Sequence, residues 1–407
     1  MKSLIILLAA LPMGACLAQE DHFGVTAYHL KGHGVGLVAK DSSFSLNFQF
    51  RMQNRAIYNT TSETDWSDRS FEFRVRRLRM KFTGFVVDPR FTYYIQLSFS
   101  RGDLDWRGPD DARINNSPNI IRDAVMYYQI KPRLKLGFGQ AKLPGNRQRV
   151  VSSGDQQFPD RSIVNAAFNI DRDFGFFGVY SGDHYVLKGA ITSGEGRNSS
   201  ISLGGLAYTG RLEILPFGHF SGINDEIEGD LEREPTPKMA ISGSYHYNDR
   251  AERQAGQTGV DLFEFRSLVS MEADMLWKYN GWAWYTEYMN RSTSNPITVN
   301  PSDATQYRAV IAGQGILTQL SYLFKNNVEI AGRYAKTVPE KSLYSSTILP
   351  SARVNQVEQY ELGVTKYIQG HRIKVQASIQ YLLPTDPDTQ IKLPGYYSTA
   401  LQIELGI

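Results

Sequence analysis

The chain reads FSLNFQFRMQ over residues 44–53, with apolar side chains at alternate positions and polar side chains between most of them. The same alternation returns in FTYYIQLSF at 91–99 and in YSTALQIELGI at 397–407. Because successive side chains of a β-strand point to opposite faces, each stretch predicts a strand with one apolar and one polar face. Long helical periodicity is almost absent, so the sequence predicts an all-β protein.

Segments of this kind recur along the whole chain. We predict sixteen strands, at 44–57, 71–86, 90–100, 121–131, 133–142, 173–181, 184–193, 202–215, 238–248, 265–279, 281–291, 312–325, 327–337, 357–369, 371–383 and 396–407. Most are long enough to cross a bilayer at a tilt, which takes about nine to eleven residues. Their number is even, as in single-chain bacterial barrels. The predicted fold is therefore a 16-stranded antiparallel transmembrane β-barrel.

The connections between the predicted strands alternate in length. Tight turns such as Asp88-Pro89 and Asn280-Gly281 follow even strands, whereas most odd strands are followed by long polar connections. This pattern is typical of outer-membrane barrels, which have short periplasmic turns and long external loops. A large soluble all-β protein such as a propeller is the alternative, but no blade-length repeat supports it. One connection departs from the pattern: residues 216–237 follow an even strand, yet they form a long, acidic segment, which we place as a periplasmic excursion.

The N-terminus has the features of a secretory signal. Lys2 precedes an apolar stretch, and Cys16-Leu17-Ala18 forms a small-residue cleavage site. We therefore predict a signal peptide at 1–18, a periplasmic segment at 19–43 and the barrel at 44–407. Lipidation of Cys16 is the competing interpretation. Since Cys16 is the only cysteine, cleavage after it leaves no disulfide, zinc-thiolate site or thiol nucleophile.

Charge and hydropathy exclude two further classes of protein. Without Lys2 the chain keeps 43 basic and 41 acidic residues, a formal charge of about +2 that is too balanced for a nucleic-acid binder. Beyond the signal we find no apolar run of roughly eighteen residues or more, which excludes helical membrane spans. The sequence indicates neither a cofactor nor a metal site.

The second predicted strand carries the strongest local charge. Between residues 71 and 81 it has five basic side chains and one acid, Glu72. Its apolar residues lie on one face in the first half of the strand and have the opposite parity in the second half. This change predicts a β-bulge near Arg76-Arg77. A charge that faces lipid at mid-membrane costs roughly 2–4 kcal/mol, so we expect most of the basic side chains to face the lumen. With two arginines of the first strand, the expected channel-lining residues are Arg51, Arg55, Arg74, Arg77, Arg79 and Lys81.

Five short motifs follow one another along the chain. They are GQAKLPG at 139–145, DRSIVNAAF at 160–168, RDFG at 172–175, SGEGRN at 193–198 and GHRIKVQ at 370–376. In this order they resemble the phosphate-selective porin family. The resemblance extends from about Phe44 to the C-terminus. One departure is the last residue, Ile407, where barrels of the family commonly end in an aromatic residue.

The resemblance implies a sixteen-stranded, trimeric outer-membrane channel for anions, with phosphate and polyphosphate as the solutes of the best-known members. It also implies that the third external loop, here residues 143–172, folds into the barrel and narrows it. In that loop Arg147, Arg149 and Arg161 are further candidate anion ligands. Three aspartates accompany them, so the net charge of the segment, with Arg172 included, is +1. This mixture of charges favours a focused electric field in the lumen with modest ion selectivity.

The sequence thus predicts an outer-membrane porin for passive diffusion of small anions, with phosphate as the candidate solute. We expect a homotrimer in outer-membrane lipid that binds no nucleic acid. A general, weakly selective porin remains the alternative if the arginines only balance acids across the lumen. A structural or adhesive barrel, plugged inside by its own side chains, is a second alternative. An outer-membrane enzyme would need a nucleophile beside a base, and none of the histidines near strands lies in such a motif.

Overall fold

The computed structural model describes residues 24–30, 34–61, 67–100, 120–199, 202–345 and 354–407. The predicted signal peptide and most of the predicted connection at 101–120 lie outside these ranges. No helix within them is long and apolar enough to cross a membrane. The strands within them form one large antiparallel sheet and one small two-stranded sheet.

Twenty strands are present in the described residues, together with three short helices. The strands are β1 Val25–Leu30, β2 Gly34–Ala39, β3 Ser45–Thr60, β4 Arg69–Val86, β5 Asp88–Ser98, β6 Ile121–Lys131, β7 Leu134–Lys142, β8 Arg172–Ser181, β9 Tyr185–Thr192, β10 Ala207–Ile214, β11 Lys238–Arg253, β12 Asp261–Tyr279, β13 Trp282–Ser292, β14 Ile297–Asn300, β15 Asp303–Ala309, β16 Gly313–Leu323, β17 Val328–Pro339, β18 Gln356–Gln369, β19 Ile373–Thr385 and β20 Tyr396–Gly406. The helices are α1 Arg147–Val150, α2 Ile163–Phe168 and α3 Lys341–Tyr344.

Sixteen of these strands close into a barrel. From β3 to β13 and from β16 to β20, each strand pairs antiparallel with the next along the chain. The last strand then pairs with the first: Leu401 of β20 lies opposite Ala56 of β3. Closure satisfies the backbone groups that an open edge would expose to lipid. The predicted sixteen-stranded barrel is confirmed, although β10 begins five residues later and β11 ends five residues later than the alternation suggests.

Side chains alternate across the wall of the barrel. On β13, Trp282 and Trp284 are 43% and 44% exposed on the outer surface, whereas Ala283 and Tyr285 are 4% and 5% exposed and face inward. Many inward positions hold buried polar or charged side chains instead. The interior is therefore a polar lumen with a few apolar patches rather than a continuous hydrophobic core.

Two hairpins lie outside the barrel strands, and the sequence pattern did not identify either. In the first, β1 pairs with β2, and β2 continues onto β3 through the pair Val35 and Phe48. β20 does not reach this part of β3, because the last pair between β20 and β3 joins Gly406 and Arg51. The hairpin thus extends the sheet past the C-terminal strand. In the second, β14 and β15 pair within the connection between β13 and β16.

The connection after β7 folds into the barrel, as predicted for the third external loop; we call residues 143–171 loop 3. Its helix α2 packs Val164 and Phe168 against inward apolar side chains of the wall, including Met289 and Leu317. Elsewhere polar contacts hold it, such as the Gln157 Nε2 hydrogen bond to Glu329 Oε1 at 2.6 Å. Loop 3 is therefore attached to several strands at once.

A second segment enters the lumen from the opposite end; we call residues 216–237 the insert. Both ends of the insert lie beside tight turns. Leu215 N, just before the insert, donates to the carbonyl oxygen of His184 in the turn between β8 and β9 at 2.8 Å. Near the other end, Glu234 O accepts from Asn280 N in the turn between β12 and β13 at 3.0 Å. The buried ammonium of Lys278 donates to the carbonyl oxygens of Asn224 and Ile227. The insert meets loop 3 where Glu228 N donates to Asp155 O at 2.8 Å.

Lys278 should be the main anchor of the insert. In a Lys278→Met variant the side-chain volume stays similar, but carbonyl acceptors with almost no access to water lose their donor. An unsatisfied buried group costs about 1–3 kcal/mol, so we expect a lower unfolding temperature and faster tryptic cleavage after Arg233 in the insert. Lys366→Met is the matched control, because the exposed Lys366 also donates to a turn carbonyl. Equal cleavage rates in the two variants would contradict this role.

Candidate functional site

A β-bulge on β4 turns the basic side chains of that strand. Arg77 lies opposite Gln53, whereas Val75 lies opposite the next residue, Asn54, so Arg76 is the extra residue of the bulge. Before the bulge, Phe73 is 77% exposed on the outer surface. After it, Arg77 and Arg79 are buried inside the barrel. The predicted bulge is confirmed, and it places the apolar residues of both halves on the outer face.

The middle of this wall surrounds one carboxylate of loop 3. Asp160 receives a hydrogen bond from Arg55 and lies 3.2 Å from Arg76 Nη2 and 3.4 Å from Arg77 Nη2. Burial alone would raise the pKa of Asp160, but the Arg55 hydrogen bond and the three guanidinium charges hold it below its ordinary value. Three guanidinium groups against one carboxylate leave a local excess of positive charge.

Two further arginines of the wall bind hydroxyl groups of loop 3. Arg51 Nη2 and Arg79 Nη1 each donate to Ser153 Oγ at 2.9 Å. Arg51 also lies 3.6 Å from Glu404 on β20. A Cβ at Gly154 would lie 1.7 Å from Arg51 Nη1, so a larger residue here would displace the Arg51 guanidinium from its present position. Because serine is neutral, these hydrogen bonds position the loop without cancelling the charge of the wall.

The two ends of the predicted basic ladder have different surroundings. Arg74 pairs with Glu72 on its own strand, and its side chain is 44% exposed. At the other end, the Lys81 ammonium lies 5.3 Å from the ring centroid of Tyr94. Lys81 also lines a cavity between loop 3 and the insert. The structure therefore brings Arg51, Arg55, Arg77 and Arg79 together around loop 3, with Arg74 and Lys81 beyond them.

The three predicted loop arginines have their donors engaged in anchoring loop 3. Arg147 binds Asp274 at 2.7 Å and also pairs with Glu213, on the strands across the lumen from β4. Arg149 pairs with Asp171 of the same loop. Arg161 donates to the Gln148 and Val151 carbonyl oxygens at 2.7 and 2.8 Å. Their immediate partners are therefore protein groups, which the sequence did not reveal.

The cavity has a volume of about 730 Å³ and lies on the side of loop 3 where the insert enters. Eight Lys or Arg and six Asp or Glu side chains line it, a formal excess of two positive charges. Besides the predicted Arg51, Arg79, Lys81 and Arg147, its basic lining consists of Lys142, Lys188, Arg211 and Arg372. None of these last four was identified as a site residue from the sequence.

A signal for one of them was present in the sequence. Lys188 is the single charge of β9 and shares its inward face with Val186 and Ala190, while Leu187 and Ile191 face outward. A lone lysine within a spanning strand is expected inside, because a lipid-facing charge is costly. The Lys142 ammonium instead donates to Val150 O of loop 3 at 2.6 Å, a contact that only the folded loop creates.

Solved structures of porins share this fold. The outer-membrane protein OmpT of Vibrio cholerae aligns over 91% of this chain and 100% of its own, with a TM-score of 0.53 and 10% identity. The channel DcaP of Acinetobacter baumannii aligns over 90% and 99%, with a TM-score of 0.54 and 10% identity. An anion-selective porin from Comamonas acidovorans aligns over 89% and 100%, with a TM-score of 0.51 and 10% identity. At such identities the likeness shows the fold alone.

Sequence comparison gives the family. No curated protein sequence matches the chain at a significant level. The family model described as phosphate-selective porin O and P matches residues 44–383, which are most of the chain and include β3 to β18 and the bulk of β19. Family and fold are both those of channel-forming proteins of the Gram-negative outer membrane. This chain therefore belongs to the phosphate-selective porin O and P family and is an outer-membrane porin.

Proposed function

We propose that the porin carries small anions by passive diffusion and that the basic wall of β3 and β4 sets its preference. The observation that carries this proposal is the set of partners of the wall. Arg51 and Arg79 donate to serine hydroxyls, Lys81 lies beside an aromatic ring, and three arginines share Asp160. The wall therefore keeps an excess of positive charge along the lumen.

Guanidinium groups are well suited to this task. An anion that enters a narrow lumen loses water and needs hydrogen-bond donors in its place, and arginine offers several in a planar fork. A series of weak sites lets the ion enter and still leave, whereas a single tight site would trap it. The basic wall forms such a series along β4. It begins with Arg74, continues with the arginines around loop 3 and ends with Lys81.

Phosphate is the candidate solute because the family is described by that selectivity. A general, weakly selective porin is the second candidate. The observation that favours it is the number of acids within the lumen, including Asp155, Glu213 and Glu404 in the cavity lining. The anion-selective porin from Comamonas acidovorans, which has a similar fold, supports passage of anions in general without deciding between them.

We also propose that residues 1–18 direct export, that residues 19–43 lie on the periplasmic side, and that the porin is a homotrimer. The family resemblance supports the trimer, and so does a similar fold solved as a trimer form from Vibrio cholerae.

Purified protein should migrate as a heat-modifiable oligomer, and mass measurement of the detergent complex gives its subunit number. A monomer in several mild detergents would contradict the trimer.

Lys81 offers a direct test of the basic wall, because it lines the cavity without donating a hydrogen bond to loop 3. In a Lys81→Gln variant, a chloride ion passing about 4 Å from this position loses roughly 1 kcal/mol of attraction even at the dielectric constant of water. The ratio of chloride to potassium permeability should therefore fall by about five-fold. The measurement is the reversal potential of reconstituted channels in a salt gradient.

Lys325→Gln is the control for that variant, since Lys325 lies in an exposed turn and carries the same charge. It should leave the permeability ratio close to that of the unmodified channel. An equal fall in both variants, or none in Lys81→Gln, would rule out Lys81 as a selectivity residue.

Ionic strength should weaken the preference if it is electrostatic. The screening length is about 10 Å at 0.1 M salt and about 3 Å at 1 M, so the field of the wall reaches much less of the lumen at high salt. We expect the ratio of anion to cation permeability, from reversal potentials at equal gradients, to be larger at the lower concentration. A ratio that stays constant would indicate selection by size instead.

A further inference from the structure

The six acids of the insert fall into two groups of three. Glu228, Asp230 and Glu234 are buried and hydrogen-bonded: Asp230 accepts from Asn224 and Gly281, and Glu228 accepts from Gln157 N at 2.9 Å. This group explains how an acidic segment can fold inside a barrel. The other group, Asp225, Glu226 and Glu232, lines the cavity.

The cavity-lining acids are not used to hold the fold. Within the described ranges, the carboxylates of Asp225, Glu226 and Glu232 form no hydrogen bond and no ion pair, and the side chains of Glu226 and Glu232 are exposed. We call these three residues the acidic edge. Because nothing in the fold requires their charge, the cavity itself is where their charge acts.

Basic side chains of the wall line the same cavity. Lys81 and Lys188 contribute ammonium groups that, in the described part of the chain, form no hydrogen bond and no ion pair. Arg79 and Lys142 add charges next to them. Positive charge on the strands and negative charge on the insert therefore border one water-accessible space. Separated charges on low-dielectric walls produce a field across the lumen rather than along it.

A simple anion is attracted by Lys81 and Lys188, but the acidic edge offsets part of this attraction. A solute with charges of both signs can align with the field and interact favourably with both sides. The volume also exceeds what an inorganic ion needs, because cavities of about 300–1,000 Å³ hold small organic molecules. Ile223 and Leu231 add apolar surface to the lining.

We infer that this cavity favours small dipolar organic solutes, with the anionic group towards Lys81 and Lys188 and a cationic group towards the acidic edge. Short peptides with free termini have this chemistry. The inference rests on the proposed anion channel and narrows its solute class: the anionic group admits the solute past the basic wall, and the cationic group distinguishes it from a plain anion in the cavity.

Three labelled compounds of similar size test the inference in proteoliposomes near neutral pH. Glycylglycine carries both charges, N-acetylglycylglycine only the negative one, and glycylglycinamide only the positive one. In the unmodified porin we expect the initial uptake rate of glycylglycine to exceed that of N-acetylglycylglycine several-fold, with glycylglycinamide slowest. Faster uptake of N-acetylglycylglycine than of glycylglycine, or equal uptake of the two, would overturn the inference but leave the anion channel intact.

A variant with a neutral acidic edge, Asp225→Asn with Glu226→Gln and Glu232→Gln, should reverse the order of the first two compounds. The control variant neutralises three acids outside the cavity lining, Glu264→Gln with Asp303→Asn and Asp388→Asn, and should keep the order. Heat-modifiable migration checks that each barrel is folded, and Glu226→Gln alone replaces the triple variant if that fails. An unchanged order in the folded edge variant would also overturn the inference.

Failure of the proposed function has a different signature in the same experiment. If glycylglycinamide entered the unmodified proteoliposomes fastest, the channel would favour cations, and both the anion channel and the inference that rests on it would fall. The relative uptake rates of glycylglycine and N-acetylglycylglycine therefore test the preference for dipolar solutes. The uptake rate of glycylglycinamide relative to the other two tests the anion channel.

Discussion

Hydrogen bonds between β20 and β3 join the two ends of the strand series, and the rest of the structure depends on this closure. Hydrocarbon offers backbone groups no partners, so a sheet in the membrane must have no free edge. Once the ring is closed, every second side chain is shielded from lipid and can be polar. The charged interior described above is possible only for this reason, and the apolar outer face follows from the same alternation.

Inside the ring, the basic wall has two roles that share the same side chains. The arginines of β3 and β4 hold loop 3 through Asp160, Ser152 and Ser153, so they fix the position of the constriction. Within loop 3 their charged partner is the shared Asp160 carboxylate, and the two serines supply neutral hydroxyl groups, so holding the loop leaves positive charge in the lumen. Across the barrel the balance differs, because Arg147 and Arg211 are matched by Glu213 and Asp274. One side of loop 3 is thus electrostatically satisfied, while the other remains basic.

The insert changes the electrostatics of the lumen further. General barrels of this kind have short turns at that end, whereas here a second segment folds inward and meets loop 3. Its buried acids, such as Asp230, hold the segment together, and its remaining acids border the cavity. The lumen is consequently bounded by structures from both ends, and a solute that passes loop 3 next meets a space with charges of both signs.

The strands, the bulge near Arg76 and the inward course of loop 3 could be predicted from the sequence, because alternation along a strand is local and the loop motifs resemble a known family. The partners of Arg147, Arg149 and Arg161 could not, since they lie across the lumen or within the folded loop. Lys142 escaped notice for the same reason, although Lys188 could have been found as a lone charge in a strand. The inward course of the insert depends on Lys278, a contact between segments more than forty residues apart, which no local pattern encodes.

The most direct test of the account is the reversal potential of the unmodified porin in a potassium chloride gradient, repeated with inorganic phosphate added. We expect a potential with the sign of anion preference, because basic side chains outnumber acidic ones in the wall around loop 3. A decrease of chloride current at low phosphate concentration would extend that preference to phosphate. A potential near zero, or one with the sign of cation preference, would contradict the central claim that the basic wall selects the solute.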